Sequence, residues 1–175
     1  MTALFTKKQL NTFIIQDLGK RVFWHSDIND KTFLVDLIMP KRQLRIYVFN
    51  CTCPPGGRAL DEYKVQLIIE GQKRGERGHL NFSDNRSVLI IGYAVPFVDE
   101  NDGIYVIWDA NVHKEFSYSA NLQCYLDPML QALSDNVVTC LKKGNKEKIV
   151  VSQRKYLGDA IERRLDIDTQ ELLGG

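Results

Sequence analysis

Apolar positions along the chain recur first at helical and then at strand spacing. Leu10, Phe13, Ile14 and Leu18 repeat every three or four residues, Thr6 stands where a cap is wanted, and Gly19 follows, which predicts a helix over 6–20. The stretch 21–36 is mixed, with Phe23, Trp24, Phe33, Leu34 and Val35 as expected core. Leu44, Ile46 and Val48 then alternate with Arg45, Tyr47 and Phe49, a strand period. Prolines 54 and 55 and glycines 56 and 57 make 50–58 a loop, and 63–69 resumes as strand. The stretch 71–79 reads as loop on its three glycines. Ser87 to Val95 is continuously apolar, the pattern of a strand buried on both faces. An acidic turn at 98–103 ends in Asp-Gly and predicts a hairpin into 104–108.

The last third changes period. Asp127-Pro128 opens a helix, and Met129, Leu130, Leu133, Val137, Val138 and Leu141 carry it to Gly144. A strand at 148–152 and a helix at 155–165 follow, the latter with Tyr156, Leu157, Ile161 and Leu165 on one face. The acidic segment 166–175 ends in Gly-Gly and reads as a tail or linker. The order predicts an α+β, mainly β fold: a mostly antiparallel barrel or sandwich with peripheral helices, as one domain over 1–165.

Composition narrows the function classes. At 175 residues the chain can bury a core without staples. No apolar run approaches the ~20 residues of a membrane span, and the first eight residues lack a secretion pattern, so the expectation is a cytoplasmic protein with no membrane partner. The four cysteines are then expected as reduced thiols. Cys51-Thr52-Cys53 lacks the second ligand pair of a zinc site, so no metal is expected. Net charge is only +1, from 23 basic and 22 acidic residues. Locally it is uneven: 41–79 carries eight Lys or Arg against four acids, and 141–155 six against one. Such segregation suits a neutral protein with one side turned to DNA.

The sharpest constellation is Arg58-Ala-Leu-Asp-Glu-Tyr-Lys-Val-Gln-Leu67. Glu62-x-Lys64 has the form of restriction-type nucleases, where two carboxylates hold Mg²⁺ and a lysine supports the attacking water; Asp36 or Asp61 would be the second carboxylate. The same residues suit base reading: Arg to guanine, Gln to adenine, Glu or Asp to cytosine. The plainest reading is the solvated face of a half-buried strand, with Tyr63, Val65 and Leu67 packing. His113, Lys114, Ser117 and Ser119 lie in a polar, aromatic segment suited to phosphate or base contacts. Ser117 or Cys53 with His113 could form a hydrolase pair, but no nucleophile-elbow or cysteine-protease signature occurs. His25 and His79 stand alone. No phosphate-binding glycine loop is present.

The run from Arg58…Asp-Glu-Tyr-Lys-Val-Gln-Leu through Ser-Val-Leu-Ile-Ile-Gly-Tyr, Asp-Glu-Asn-Asp-Gly and Ile-Tyr-Val-Ile-Trp-Asp-Ala to Asn-Val-His-Lys-Glu-Phe-Ser-Tyr-Ser resembles the sequence-reading domains of bacterial restriction-modification proteins, in particular those with the B3-like pseudobarrel. The resemblance covers about 40–120. It implies an open antiparallel β-barrel that reads the major groove of double-stranded DNA with two loop-and-strand arms. One arm would carry Thr52, Arg58, Glu62 and Lys64. The other would lie among Lys73, Arg74, Arg77 and His79, or in 111–119 with His113, Lys114, Ser117 and Ser119. It further implies no catalysis and no cofactor in this chain, Mg²⁺ entering only under the nuclease alternative, and a nuclease or translocase domain or subunit as partner. Were a methylated base extruded, Trp24, Tyr93, Trp108 and Tyr118 would be the aromatic candidates for its pocket.

Overall fold

A computed structural model describes residues 4–53, 59–97, 99, 102–142, 144 and 146–174. In chain order these form α1 (Lys7–Leu18), β1 (Val22–His25), β2 (Phe33–Leu37), β3 (Arg42–Cys51), β4 (Glu62–Leu67), β5 (Arg77–His79), β6 (Ser87–Ala94), β7 (Ile104–Trp108), β8 (Glu115–Ser117), β9 (Ala120–Tyr125), α2 (Leu126–Asp135), β10 (Val137–Leu141), β11 (Lys148–Gln153) and α3 (Leu157–Leu172). Helix α1 opens on a capping box: the Thr6 hydroxyl accepts from the Gln9 N–H at 3.2 Å, and the Gln9 side chain accepts from the Thr6 N–H at 2.8 Å.

Seven strands make one open sheet in the order β1-β2-β3-β6-β7-β11-β10. All its neighbours are antiparallel except β3 and β6, which run parallel. The sheet is therefore mixed, and among the described residues the strands form no closed barrel.

Side-chain alternation divides the core in two. Leu44, Ile46, Val48, Leu89, Ile91, Tyr105 and Ile107 point to one face, where α1 and α3 cover them with Leu10, Ile14, Leu157 and Ile161. Tyr47, Cys51, Val88, Ile90, Val106, Trp108 and Val151 point to the other, where they meet Val65, Leu67, Phe116, Leu122 and Met129. Strands β6 and β7 are thus buried on both faces, as their continuous apolar runs predict.

The second cover is a ribbon. β4 pairs with β9, β5 pairs with β8, and β8 leads into β9 through the turn at 118–119. Leu67 faces Ala120 and Arg77 faces Ser117, so residues 68–76 bulge out opposite only 118 and 119. The Thr52–Lys64 bridge joins this ribbon to the end of β3.

Four expectations need correcting. The helix starting at Asp127 stops at Asp135, because Asn136 takes φ 68° and β-branched Val137, Val138 and Thr139 pair with β11 instead. The expected tail is helical to Leu172, held by the Arg164–Asp168 pair one turn apart. Residues 77–79, expected as loop, form the short strand β5 by pairing with β8 at 115–117. Strand β9 was not expected at all.

Candidate nucleic-acid interface

The β4–β9 ribbon keeps strict alternation. Val65, Leu67, Leu122 and Cys124 face inward and are buried. Glu62, Lys64 and Gln66 face outward beside Asn121, Gln123 and Tyr125. This outward row is cross-linked on the diagonal: the Gln123 amide donates to Glu62 at 2.8 Å, and the Lys64 ammonium donates to Asn121 at 3.3 Å. The ribbon is pinned from behind. Trp108 Nε1 donates to the Gln123 carbonyl at 3.1 Å, and Thr52 exchanges backbone bonds with Lys64 at 2.8 and 2.9 Å.

The β5–β8 end carries cations. Lys73 and Arg74 stand exposed on a turn whose Gly75 takes φ 88°, a conformation costly for other residues. The Lys73 N–H donates to Glu76 at 3.0 Å, which holds the turn. Arg77 is ion-paired with Glu115, both exposed, and lies opposite Ser117. Gly78 must be glycine: a Cβ there would meet the Phe116 ring at 2.5 Å. Ser119 turns the chain at φ 59° between β8 and β9.

The sequence profile of the methylase-associated X1 family matches residues 42–161. The chain belongs to this family. No curated protein and no solved structure matches it. The match runs from the start of β3 into α3 and includes both halves of the ribbon. Membership supports a role associated with the methylases of restriction-modification systems. No helix among the described residues is long and apolar enough to cross a membrane.

In this methylase-associated X1 chain the residues expected to form arms separate into three groups. Thr52, Glu62 and Lys64 come together on the ribbon. Lys73, Arg74, Arg77 and Ser117 come together at its far end, with Ser119 in the adjoining turn. His113 and Lys114 lie elsewhere. His113 Nε2 sits 2.9 Å from the buried carboxylate of Glu147, which also accepts from the Asp109 N–H at 3.0 Å. Burial pushes the Glu147 pKa up, but the hydrogen bond and charge of His113 outweigh it and the net shift is down. Lys114 lies over the Phe82 ring at 5.1 Å, in a cleft it shares with Arg42, Asp168 and Glu171. Arg58 lies outside the described residues.

The uneven local charge is partly consumed by folding. Of the cations in 41–79, Arg42 pairs with Glu162 at 2.7 Å, Arg45 with Asp84 at 2.8 Å, and Arg77 with Glu115. Among the described residues, Lys73 and Arg74 take part in no ion pair.

Three acids, Asp109, Asp168 and Glu171, bring ligand atoms within 4.8 Å of one another, but Glu62 is not among them. Fully buried Arg164 already occupies this group, 2.8 Å from Asp168 and 3.8 Å from Asp109. Burial raises the Asp168 carboxyl to about 6 although Arg164 opposes the shift. Asp36 is held by Arg86 at 2.8 Å. The cysteines are free thiols, and burial pushes Cys51 and Cys124 up, which makes them poor nucleophiles and ligands. Of the aromatic candidates, Tyr93 and Trp108 are core, and Trp24 is half-exposed on β1. Asn121, Gln123 and Tyr125 were missed. Their signal was the alternation of Leu122 and Cys124 with polar neighbours.

Proposed function

We propose that this chain is a non-catalytic module that lends sequence specificity to a restriction-modification methylase system by contacting double-stranded DNA. The observation that carries the reading is the outward row of Glu62, Lys64, Gln66, Asn121, Gln123 and Tyr125 on a two-stranded ribbon whose inner face is sealed. A ribbon of two strands fits the ~12 Å major groove, and acids, amides and lysine are the groups that discriminate base edges there. Lys73 and Arg74 then serve the phosphates, which position without reading sequence. Arg58, four residues before Glu62 in the chain, is kept as a proposed base contact on its residue type alone.

The manner of reading proposed here, strand-borne arms in the major groove, keeps what the resemblance to B3-like domains implies, with an open sheet and ribbon in place of a barrel. The methylase, nuclease or translocase of the system is the proposed protein partner, and the cytoplasm, where the DNA is, the proposed location. The nuclease alternative draws less support, since Glu62 is bonded to Gln123, Lys64 to Asn121, and Asp36 to Arg86.

The test is a gel shift on pools of random duplexes, methylated and unmethylated, at low and moderate salt, with and without Mg²⁺. Retention of a sequence-enriched pool that weakens steeply with salt is expected. Mg²⁺-dependent cutting lost in Glu62→Ala would replace this reading with the nuclease. No retention at any salt would overturn both.

A further inference from the structure

Where the ribbon ends, the start of β4, the end of β9, the first turn of α2 and the β10–β11 hairpin enclose a cleft of about 390 Å³. That lies within the ~300–1,000 Å³ range of small-molecule sites. The Leu126 N–H donates to the Asp61 carbonyl at 2.9 Å, which ties the head of β4 to the start of α2 and fixes that wall. The lining has two characters. Tyr125, Pro128 and Leu141 offer flat or apolar surface, and Tyr125 and Leu141 are 46% and 60% exposed. Asp61, Gln123 and Asp127 offer hydrogen-bonding groups.

Two placements say what such a cleft would take. Gln123 and Tyr125 belong at once to the cleft and to the outward row of the ribbon, so a ligand held here is continuous with whatever lies on that row. On the other side stands the β10–β11 hairpin, where Lys142 lines the cleft. A cleft with a stacking wall, acceptor carboxylates and a cationic lip fits a nucleobase with its phosphate outside.

We infer that this cleft receives a single base swung out of the duplex, and that it selects a base bearing an exocyclic amine. The inference rests on the reading of the ribbon as a DNA surface. A carboxylate such as that of Asp61 or Asp127 offers acceptors, and the Gln123 amide both donates and accepts. Cytosine N4 or adenine N6 can donate to a carboxylate, whereas thymine presents a carbonyl oxygen at that position and keeps only its ring N3–H to donate, which leaves one of the two acids unpaired. Tyr125 supplies the stacking face, and Leu141 closes the opposite side. Swinging a base out costs a few kcal/mol in a matched duplex and least where the base is already unpaired.

The experiment uses that dependence. Fluorescence anisotropy compares four labelled duplexes of one sequence: fully matched, with one unpaired cytosine, with one unpaired thymine, and with an abasic residue at the unpaired position. The unpaired-cytosine duplex is expected to bind about tenfold tighter than the matched and abasic duplexes, near the lower end of base–aromatic stacking. The thymine duplex is expected in between. Asp127→Asn is expected to erase the cytosine–thymine difference, and Leu141→Ala to cut the preference for any unpaired base, both with matched-duplex binding unchanged. Equal binding of all four duplexes overturns the cleft and leaves the ribbon reading standing. Preference for the abasic duplex equal to that for cytosine assigns the effect to duplex flexibility and overturns the cleft. A preference that survives in both variants overturns this location. No binding to any duplex overturns both readings.

Discussion

On the helix-covered side of the large sheet, cations are held by carboxylates inside the fold. Arg154 meets Asp17 at 2.8 Å, Arg42 meets Glu162 at 2.7 Å, and Arg164 meets Asp168 at 2.8 Å from a position of no exposure. On the ribbon side, Lys73 and Arg74 project from a turn and take part in no ion pair among the described residues, and Lys64 donates to the neutral amide of Asn121. The first set ties helices to strands, and its charges are already engaged by carboxylates of the same chain. Lys73 and Arg74 are solvated, cost little to display, and are placed to meet an anion from outside. A net charge of +1 therefore hides two populations, and the proposed DNA contact draws only on the second.

This contrast can be broken by substitution, and the largest effect should fall on the helix side. Arg164→Met leaves Asp168 and Asp109 without their shared cation, and breaking a buried pair in this way costs about 3–5 kcal/mol. Urea unfolding should show that loss. A change under 1 kcal/mol would mean that the cluster is not the anchor of α3.

Next in size is the reading face. Gln66→Ala removes an exposed outward amide that no described residue engages. It should flatten preference at one base pair of a selected site by ~1–3 kcal/mol. Unchanged selection profiles would take the outward row out of the interface.

The phosphate contacts come third. Lys73→Ala with Arg74→Ala should weaken retention of every duplex alike and reduce the salt slope by about two, near 0.9 per contact. Arg42→Ala, from the internally paired set, should leave the slope as it is. Equal changes in the two variants would erase the distinction between the two sides.

Two smaller effects sharpen it. The Asp168 carboxyl is raised to about 6 from an ordinary value of 3.8, so the folded state holds its proton more tightly than the unfolded chain. That contribution is present below pH 4 and is lost as pH rises through about 6. The stability of the wild type relative to Asp168→Asn should therefore improve as pH falls from 7 to 5, read from urea midpoints. The exposed Arg77–Glu115 pair should matter least, and Glu115→Gln should shift stability by less than about 1 kcal/mol.

Much of the fold was legible where one physical signal dominated. The capped amphipathic α1, the two-sided burial of β6 and its hairpin into β7 follow from period and turn chemistry alone. The errors arose where two periods overlapped. Val137, Val138 and Leu141 fit a helical stripe and a strand equally well, and the choice fell to pairing with β11, which no local window contains. α3 runs past Leu165 because Arg164 is buried against Asp168, a burial visible only once the sheet is in place. Strands β5 and β8 have three residues each and exist through each other.

The candidate interface divides in the same way. Glu62, Lys64 and Gln66 on one strand face could be read from alternation, because side chains two apart share a face whatever the fold. Asn121, Gln123 and Tyr125 share a face by the same alternation, but their place beside Glu62, Lys64 and Gln66 could not be read, because cross-strand partners nearly sixty residues away depend on register. His113 reads as a free contact in the chain and is bound to Glu147 in the fold. The sequence by itself determined the strand and helix faces, the absence of a long apolar span, and the stock of groups able to touch DNA. The tertiary structure alone decided which of those groups are spent on one another, since an ion pair is set by distances in space that chain spacing does not encode.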